Sequence, residues 1–562
     1  MAKLPQCKFQ SLRGLKAIWE SSRGFNYWVV AYLSFGTKPR SNTRQKYGLR
    51  RGVIRLRLFF NSLALVCLSG SATGLAGQEV FPLVKLTWFE ARTVHFHTYS
   101  CGSTQAVAKI AARLEQFHAA YSSLAGAQAV TSPPIVVIAF PDHSSLREFV
   151  PFYQGQPSNL SGFFHRASDE NLIVLSLTAN VSGGLNTIFH EFAHLLLRHN
   201  ERIWPMWLSE GMADIYATFE VTGDHAVRIG KPQDSYLQLL AREPLIPLWD
   251  LFAVTQESPQ YNEREHQGIF YAESWLLTHY LMIGPNSARR PRLAAFTALL
   301  RSGQSSEQAF TNAFQVSLPV MERELQQYLK KGNFEPLGFA VSASLTAAQL
   351  LTWRRIGPAE ICFHLGDELL RVGRIERAET YFLRGKSVAP ASPLPFEGLG
   401  FLAAEREDRV QAIANLQEAL HRGSTNFLAH YILAREKFRL SQKTPHTYSR
   451  LEQTEAEEIR KELEKAFALM PNFAPAHHLL GFLELVQGED AATAEHHLQQ
   501  AVHLEPENQS YSLTLAQAQL FRKEFDAARA TLLTLCLPNV EPPVRHRAEE
   551  ILKTVFDQER NR

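Results

Sequence analysis

Apolar and polar positions alternate differently in successive stretches of this chain, and the changes mark its elements. Ile135 to Phe140 (IVVIAF) and Leu172 to Leu177 (LIVLSL) are short β-branched and apolar runs bounded by Pro, Asp, Asn and Ser, the pattern of strands. SGFFHR, between them, is a candidate for a third. From Ile188 the pattern changes. Ile188, Phe189, Phe192, Ala193, Leu195, Leu196 and Leu197 make a helix apolar nearly all round, which predicts a core helix. The segment WLSEGMADIYA that follows is also helical, and Gly211 inside it costs roughly 1 kcal/mol relative to Ala. A glycine there predicts close approach of two backbones. Ser305 with Gln308 forms a capping-box pattern ahead of apolar-periodic helices that run to about Lys331.

Beyond residue 358 the pattern repeats with a period near 34. Leu365, Gly366, Ala378, Phe382 and Pro390 define the first unit, which starts at Ala359; Phe396, Leu399, Gly400, Ala412, Leu416 and Ala419 define the second. A third carries Leu433, Ala434, Ala466 and Pro471 around an insertion, SQKTPHTYSRLEQ. A fourth runs through Leu480, Gly481, Ala494, Ala501 and Pro506, and a degenerate fifth holds Ala516 and Ala528. The pattern resembles a tetratricopeptide array over residues 359 to about 540. Small residues let the helices of a hairpin approach, Leu and Phe fill between neighbours, and Pro closes the second helix. Such a solenoid commonly binds an extended peptide or protein partner on its concave face; the plainer alternative is that it packs on the rest of the chain. His477, His478, His496 and His497 fall in the array as adjacent pairs, which point different ways on a helix and read as solvated or core histidines.

The core helix carries HEFAH, from His190 to His194. Histidines at i and i+4 lie on one helical face about a turn apart, which lets two imidazoles converge on one metal ion. Glu210, sixteen positions past His194, is placed to be a third ligand. His, His and Glu with an open fourth position is a recurring catalytic zinc set, so one Zn2+ is the expected cofactor. Zinc lowers the pKa of a water in the open position to about 7. Glu191, next to the first ligand, is the natural general base for that water. Asp214 is one helical turn beyond Glu210 and is expected to accept the free ring N–H of a ligating histidine.

HEFAH followed by PMWLSEGMADIYA resembles the gluzincin metallopeptidases, and within them the bacterial peptidase-MA-like group, over approximately residues 85 to 330. The resemblance implies His190, His194 and Glu210 as metal ligands, Glu191 as base and Asp214 as outer carboxylate. It implies an α+β fold: a small sheet with the active-site helix and a helical lower half, followed here by the all-α solenoid. No Gly-x-Met-Glu-Asn segment, which holds a free amino terminus in the aminopeptidase branch, lies upstream, so endopeptidase action on a peptide or protein substrate is expected. A sheet edge pairing with an extended substrate is a further family expectation. An oxyanion gains from a donor opposite the metal. Tyr271, 61 positions after Glu210 in HQGIFYAESWLLTHYL, resembles the tyrosine or histidine of that role; His266 is the second candidate, and core packing the competing reading for Tyr271.

Charge and length complete the outline. Residues 1 to 57 hold 13 basic side chains and one acidic, leaving 45 of the 58 basic and 54 of the 55 acidic residues for the remainder, a net −9. The overall +3 is therefore local to the N-terminus and gives no argument for nucleic-acid binding. Arg50, Arg51, Arg55 and Arg57 lead into the apolar run Leu58 to Leu68 and then SGSATGLAG, the order of a secretory signal, with cleavage expected after Ala72 or Ala76. An uncleaved signal anchor through residues 58–76 is the alternative. The expected location is exported, periplasmic or extracellular. Of the five cysteines, Cys101, Cys362 and Cys536 lie beyond the signal, too scattered for a disulfide framework. The expected division is 1–76 basic extension and signal, 77–180 N-terminal α+β part, 181–336 zinc-binding helical part, 337–358 linker, 359–540 repeats, and 541–562 C-terminal helix or tail. A non-catalytic binding scaffold retaining the peptidase fold is the competing function.

Overall fold

The computed structural model describes residues 81–560 apart from 126–134, 154–155, 158–161, 179–180, 202–203, 256–257, 259–263, 286–288, 342–351, 443–448, 489, 507 and 538–539. The expected signal or anchor at 1–76 lies outside the described residues. Among the described residues no helix is long and apolar enough to cross a membrane.

A six-stranded sheet organises the first part. Its strands are β1 (Phe89–Arg92), β2 (Phe96–Ser100), β3 (Ile135–Phe140), β6 (Gly162–Arg166), β7 (Asn171–Ser176) and β11 (Thr352–Arg355), in the order β11-β1-β2-β3-β7-β6. The two-stranded β4 (Phe152–Tyr153) and β5 (Gln156–Pro157) form a separate hairpin. Strands β2, β3 and β7 run parallel, and β1, β6 and β11 join antiparallel. The run IVVIAF is β3, and it is buried on both faces, which explains why it is continuously apolar. SGFFHR supplies β6, an edge strand.

Each face of the sheet has its own cover. Phe96, Ile135, Val137, Ala139, Phe164, Ile173 and Leu175 point into a core shared with α1 (Thr104–Ala125), α3 (Val181–Glu201) and α4 (Met206–Ala217). Helix α2 is a single turn, His143–Leu146. The helical lower half continues through β8 (Glu220–Gly223), β9 (Ala226–Ile229), α5 (Asp234–Leu240), α6 (Leu248–Ala253), α7 (Arg264–Met282), α8 (Arg290–Arg301), α9 (Ser306–Phe314) and α10 (Leu318–Lys331). Ser305 caps α9 by accepting the Gln308 N–H, one half of the expected box.

Five helix pairs follow: α11 (Pro358–Arg371) with α12 (Ile375–Val388), α13 (Leu394–Glu405) with α14 (Arg409–His421), α15 (Phe427–Ser441) with α16 (Gln453–Leu469), α17 (Ala474–Gln487) with α18 (Ala491–Leu504), and α19 (Gln509–Phe521) with α20 (Phe525–Leu535). Helix α21 (Pro542–Arg560) packs on the last pair. The small positions behave as the repeat pattern requires. A Cβ on Gly366 would meet the Phe382 ring at 2.5 Å, and one on Gly400 would meet Leu416 at 2.6 Å.

The opposite sheet face, Trp88, Tyr99, Val136, Ile138, Phe140, Phe163, Leu172 and Val174, shares a core with the first repeats. Arg371 of α11 reaches across to Asp169 at 2.6 Å and Glu170 at 3.2 Å, in the turn before β7. The array is thus packed on the sheet. The expected linker 337–358 is a correction: β10 (Leu337–Ala340) pairs with β9, and β11 completes the large sheet beside β1. Glu90, buried in β1, draws β11 in through Arg354, 2.5 Å away. The sheet therefore takes a strand from beyond residue 330, where the family resemblance stops. Cys101, Cys362 and Cys536 are free thiols.

Candidate metal centre

Helices α3, α4 and α7 build the site. Helix α3 is apolar on nearly every side and lies within the core beneath the sheet, so His190 is 2% exposed. Helix α4 starts after Pro205, whose extended backbone caps it, and is fixed from below by Trp207, stacked on Phe252 at 5.1 Å. Gly211 brings α4 against α7 as expected: a Cβ there would lie 2.1 Å from Thr278 Oγ1 and 2.4 Å from the Ser274 carbonyl. This contact sets the depth of Glu210, one residue before.

The expected ligands converge. His190 Nε2 lies 3.2 Å from His194 Nε2 and 3.3 Å from Glu210 Oε2, and His194 Nε2 lies 3.4 Å from the same oxygen. Three donors at the corners of a tetrahedron with zinc bond lengths stand about 3.4 Å apart. The triangle therefore fits zinc at its own dimensions. Both rings turn Nε2 to the centre because Nδ1 is engaged elsewhere: His190 Nδ1 with Asp214 Oδ1 at 3.0 Å, and His194 Nδ1 with Ser209 Oγ at 3.4 Å. Asp214 also accepts the Tyr236 hydroxyl at 2.8 Å.

Electrostatics agree with the geometry. Burial alone would depress the His190 ring, but Asp214 and Glu210 outweigh it and carry its pKa up to about 9. Burial would raise Glu210, yet the two imidazoles hold it down at about 2. Asp214 and Glu210 thus bring negative charge to the two imidazoles.

Glu191 is buried on α3 next to His190. Tyr271, on α7, is buried with its ring centroid 6.5 Å from that of His190, which places it beside the three donors. His266 is on α7 too, but its side chain lies outside the described residues. Tyr236 and Ser209 were not singled out from sequence. Tyr236 arrives from α5 by tertiary packing and has no local signal; Ser209, directly before Glu210, had its position as a clue. The repeat histidines do not gather as a metal set: His477 Nδ1 meets His497 Nδ1 at 2.9 Å beside Phe467, and His478 meets Thr514 Oγ1 at 3.0 Å.

Comparison with known proteins identifies the C-terminal part. A tetratricopeptide repeat family model matches residues 485–544, from the end of α17 into α21, including the unit whose sequence is most degenerate. Similar solved structures include a thermophilic tetratricopeptide protein of Thermus thermophilus (22% identity over 34% of this chain and 98% of that one, TM-score 0.27). MamA of Desulfovibrio magneticus (20%, 36% and 96%, TM-score 0.25) and pilF of Pseudomonas aeruginosa (18%, 36% and 85%, TM-score 0.30) are two more. The repeat assignment rests on the family match and the five helix pairs. No curated protein matches this chain.

Proposed function

We propose that the chain is an exported zinc-dependent metallopeptidase of gluzincin type, acting as an endopeptidase, with the tetratricopeptide array as a dock for substrate or a protein partner. The observation that carries the reading is the 3.2, 3.3 and 3.4 Å triangle of His190, His194 and Glu210, with both histidines oriented from behind. His190, His194 and Glu210 would hold the ion, which supplies Lewis acidity that acidifies a water and polarises a carbonyl.

The remaining roles belong to the chain. Glu191 takes the proton of the attacking water and returns it to the leaving amine. Tyr271 donates to the developing oxyanion. Asp214, itself held by Tyr236, keeps the His190 tautomer that points Nε2 inward. Strand β6 is the sheet edge that packs on α3, and an extended peptide pairing along it would be gripped by backbone without sequence restriction. That independence from side chains suits an endopeptidase.

A binding scaffold is the second reading, favoured by the repeat array, since such arrays bind proteins. Metal analysis of the purified protein tests the first. Wild type should retain zinc at this site, and His194→Ala should lose it along with hydrolysis of a peptide library. Hydrolysis that survives His194→Ala and a chelator would contradict the proposal; absence of hydrolysis in the zinc-loaded wild type favours the scaffold.

A further inference from the structure

A second group of donors sits away from the helix pair of the metal centre. His95 lies in the β1–β2 turn with its side chain 41% exposed, while Glu115 and His118 are three residues apart on one face of α1. The His95 backbone N–H donates to Glu115 Oε1 at 2.8 Å, and His95 Nδ1 lies 2.8 Å from Glu115 Oε2. The His118 ring stacks on His95 with centroids 3.8 Å apart and planes at 29°. One ligand atom from each residue falls within 4.8 Å of the others.

A tether between hairpin and helix needs only His95 and Glu115. His118 makes no hydrogen bond among the described residues, so that tether leaves its ring nitrogens unused. Two imidazoles and one carboxylate suit zinc and its late first-row neighbours, whereas calcium and magnesium want oxygen. Glu115 is held in place by the His95 backbone N–H, and the exposed His95 ring, on giving up its contact with Glu115 Oε2 and its stack on His118, can turn so that its lone pair and that of His118 meet on one ion.

We propose that His95, Glu115 and His118 form a second zinc site, open to solvent on the His95 side, which clamps the β1–β2 turn to α1. The His118 ring also stacks near Phe192, centroids 6.2 Å apart, and Phe192 lies between Glu191 and His194 on α3. An ion here would therefore tie the β1–β2 turn to the packing behind α3. The site does not depend on the peptidase reading.

The test counts zinc by mass spectrometry on the full chain, stripped with chelator, re-equilibrated with Zn2+ and desalted. Wild type should hold two ions, His95→Ala and His118→Asn one each, and His95→Ala combined with His194→Ala none. His95→Ala changes an exposed turn residue, so it carries the test if His118→Asn fails to fold, with circular dichroism confirming the fold. A zinc count that neither His95→Ala nor His118→Asn lowers overturns the second site. Failure of the first site is distinct: His194→Ala alone would then leave the count unchanged while His118→Asn lowers it.

Discussion

Asp214 shows how far single side chains behind His190 matter. Its carboxylate accepts from His190 and from Tyr236, so Asp214→Asn removes the charge that keeps Nε2 of His190 directed inward. Zinc affinity should fall about 10- to 100-fold, with Tyr236→Phe shifting it less in the same direction; competition against a chelating dye measures both. His190, Glu191, His194, Glu210 and Asp214 could be found in the sequence because their spacing is set by one or two helices. Tyr236 could not, because its hydroxyl reaches Asp214 through packing between helices. Glu273 makes a separate pH prediction. Burial pushes its carboxyl up to about 8, against the restraining N–H of Ile246. Folding then binds a proton that the unfolded chain releases near pH 4.5, so stability declines as pH rises from there toward 8 and stays low above it. Glu273→Gln should melt like wild type near pH 4.5 and higher than wild type above pH 8 in thermal scans.

Among elements, the α4–α7 contact leaves no room for a side chain at Gly211. Gly211→Ala pushes a methyl into Thr278 and the Ser274 carbonyl, and neither backbone can move without carrying Glu210 or Tyr271 with it. Denaturant unfolding should show a loss of about 1–3 kcal/mol, and zinc binding should weaken in the same protein. The glycine was readable as a close approach because it interrupts a helical pattern for no local reason. Strand β11 was not readable. Its four residues, TWRR, are all exposed and carry no alternation, and what places them in the sheet is pairing with β1 and the Arg354–Glu90 contact across 264 positions. The repeat helices lie at the other extreme, since their spacing and small residues recur from unit to unit.

On the scale of the whole molecule, the sheet is shared between the N-terminal half that carries the HEFAH helix and the repeats, and this joins their stabilities. Arg371 is the buried cation of that junction, facing Asp169, Glu170 and Asp367, with Glu368 and His165 beside them. Arg371→Met leaves those carboxylates without their cation and should cost about 3–5 kcal/mol. Both halves should unfold in one denaturant transition in wild type, and the variant should lower that midpoint. A chain ending before Pro358 would bare Trp88, Tyr99, Val136 and Ile138, and should bind a hydrophobic dye that the full chain ignores. The junction was the part of the architecture hardest to foresee, because a packed array and a free one share the same repeat pattern. The proposed peptidase chemistry is tested by hydrolysis of a peptide library by zinc-loaded wild type beside Glu191→Gln at equal zinc content. The variant should hydrolyse about 10²- to 10⁴-fold more slowly; equal rates in the two proteins, or no hydrolysis by the zinc-loaded wild type, would contradict a metallopeptidase.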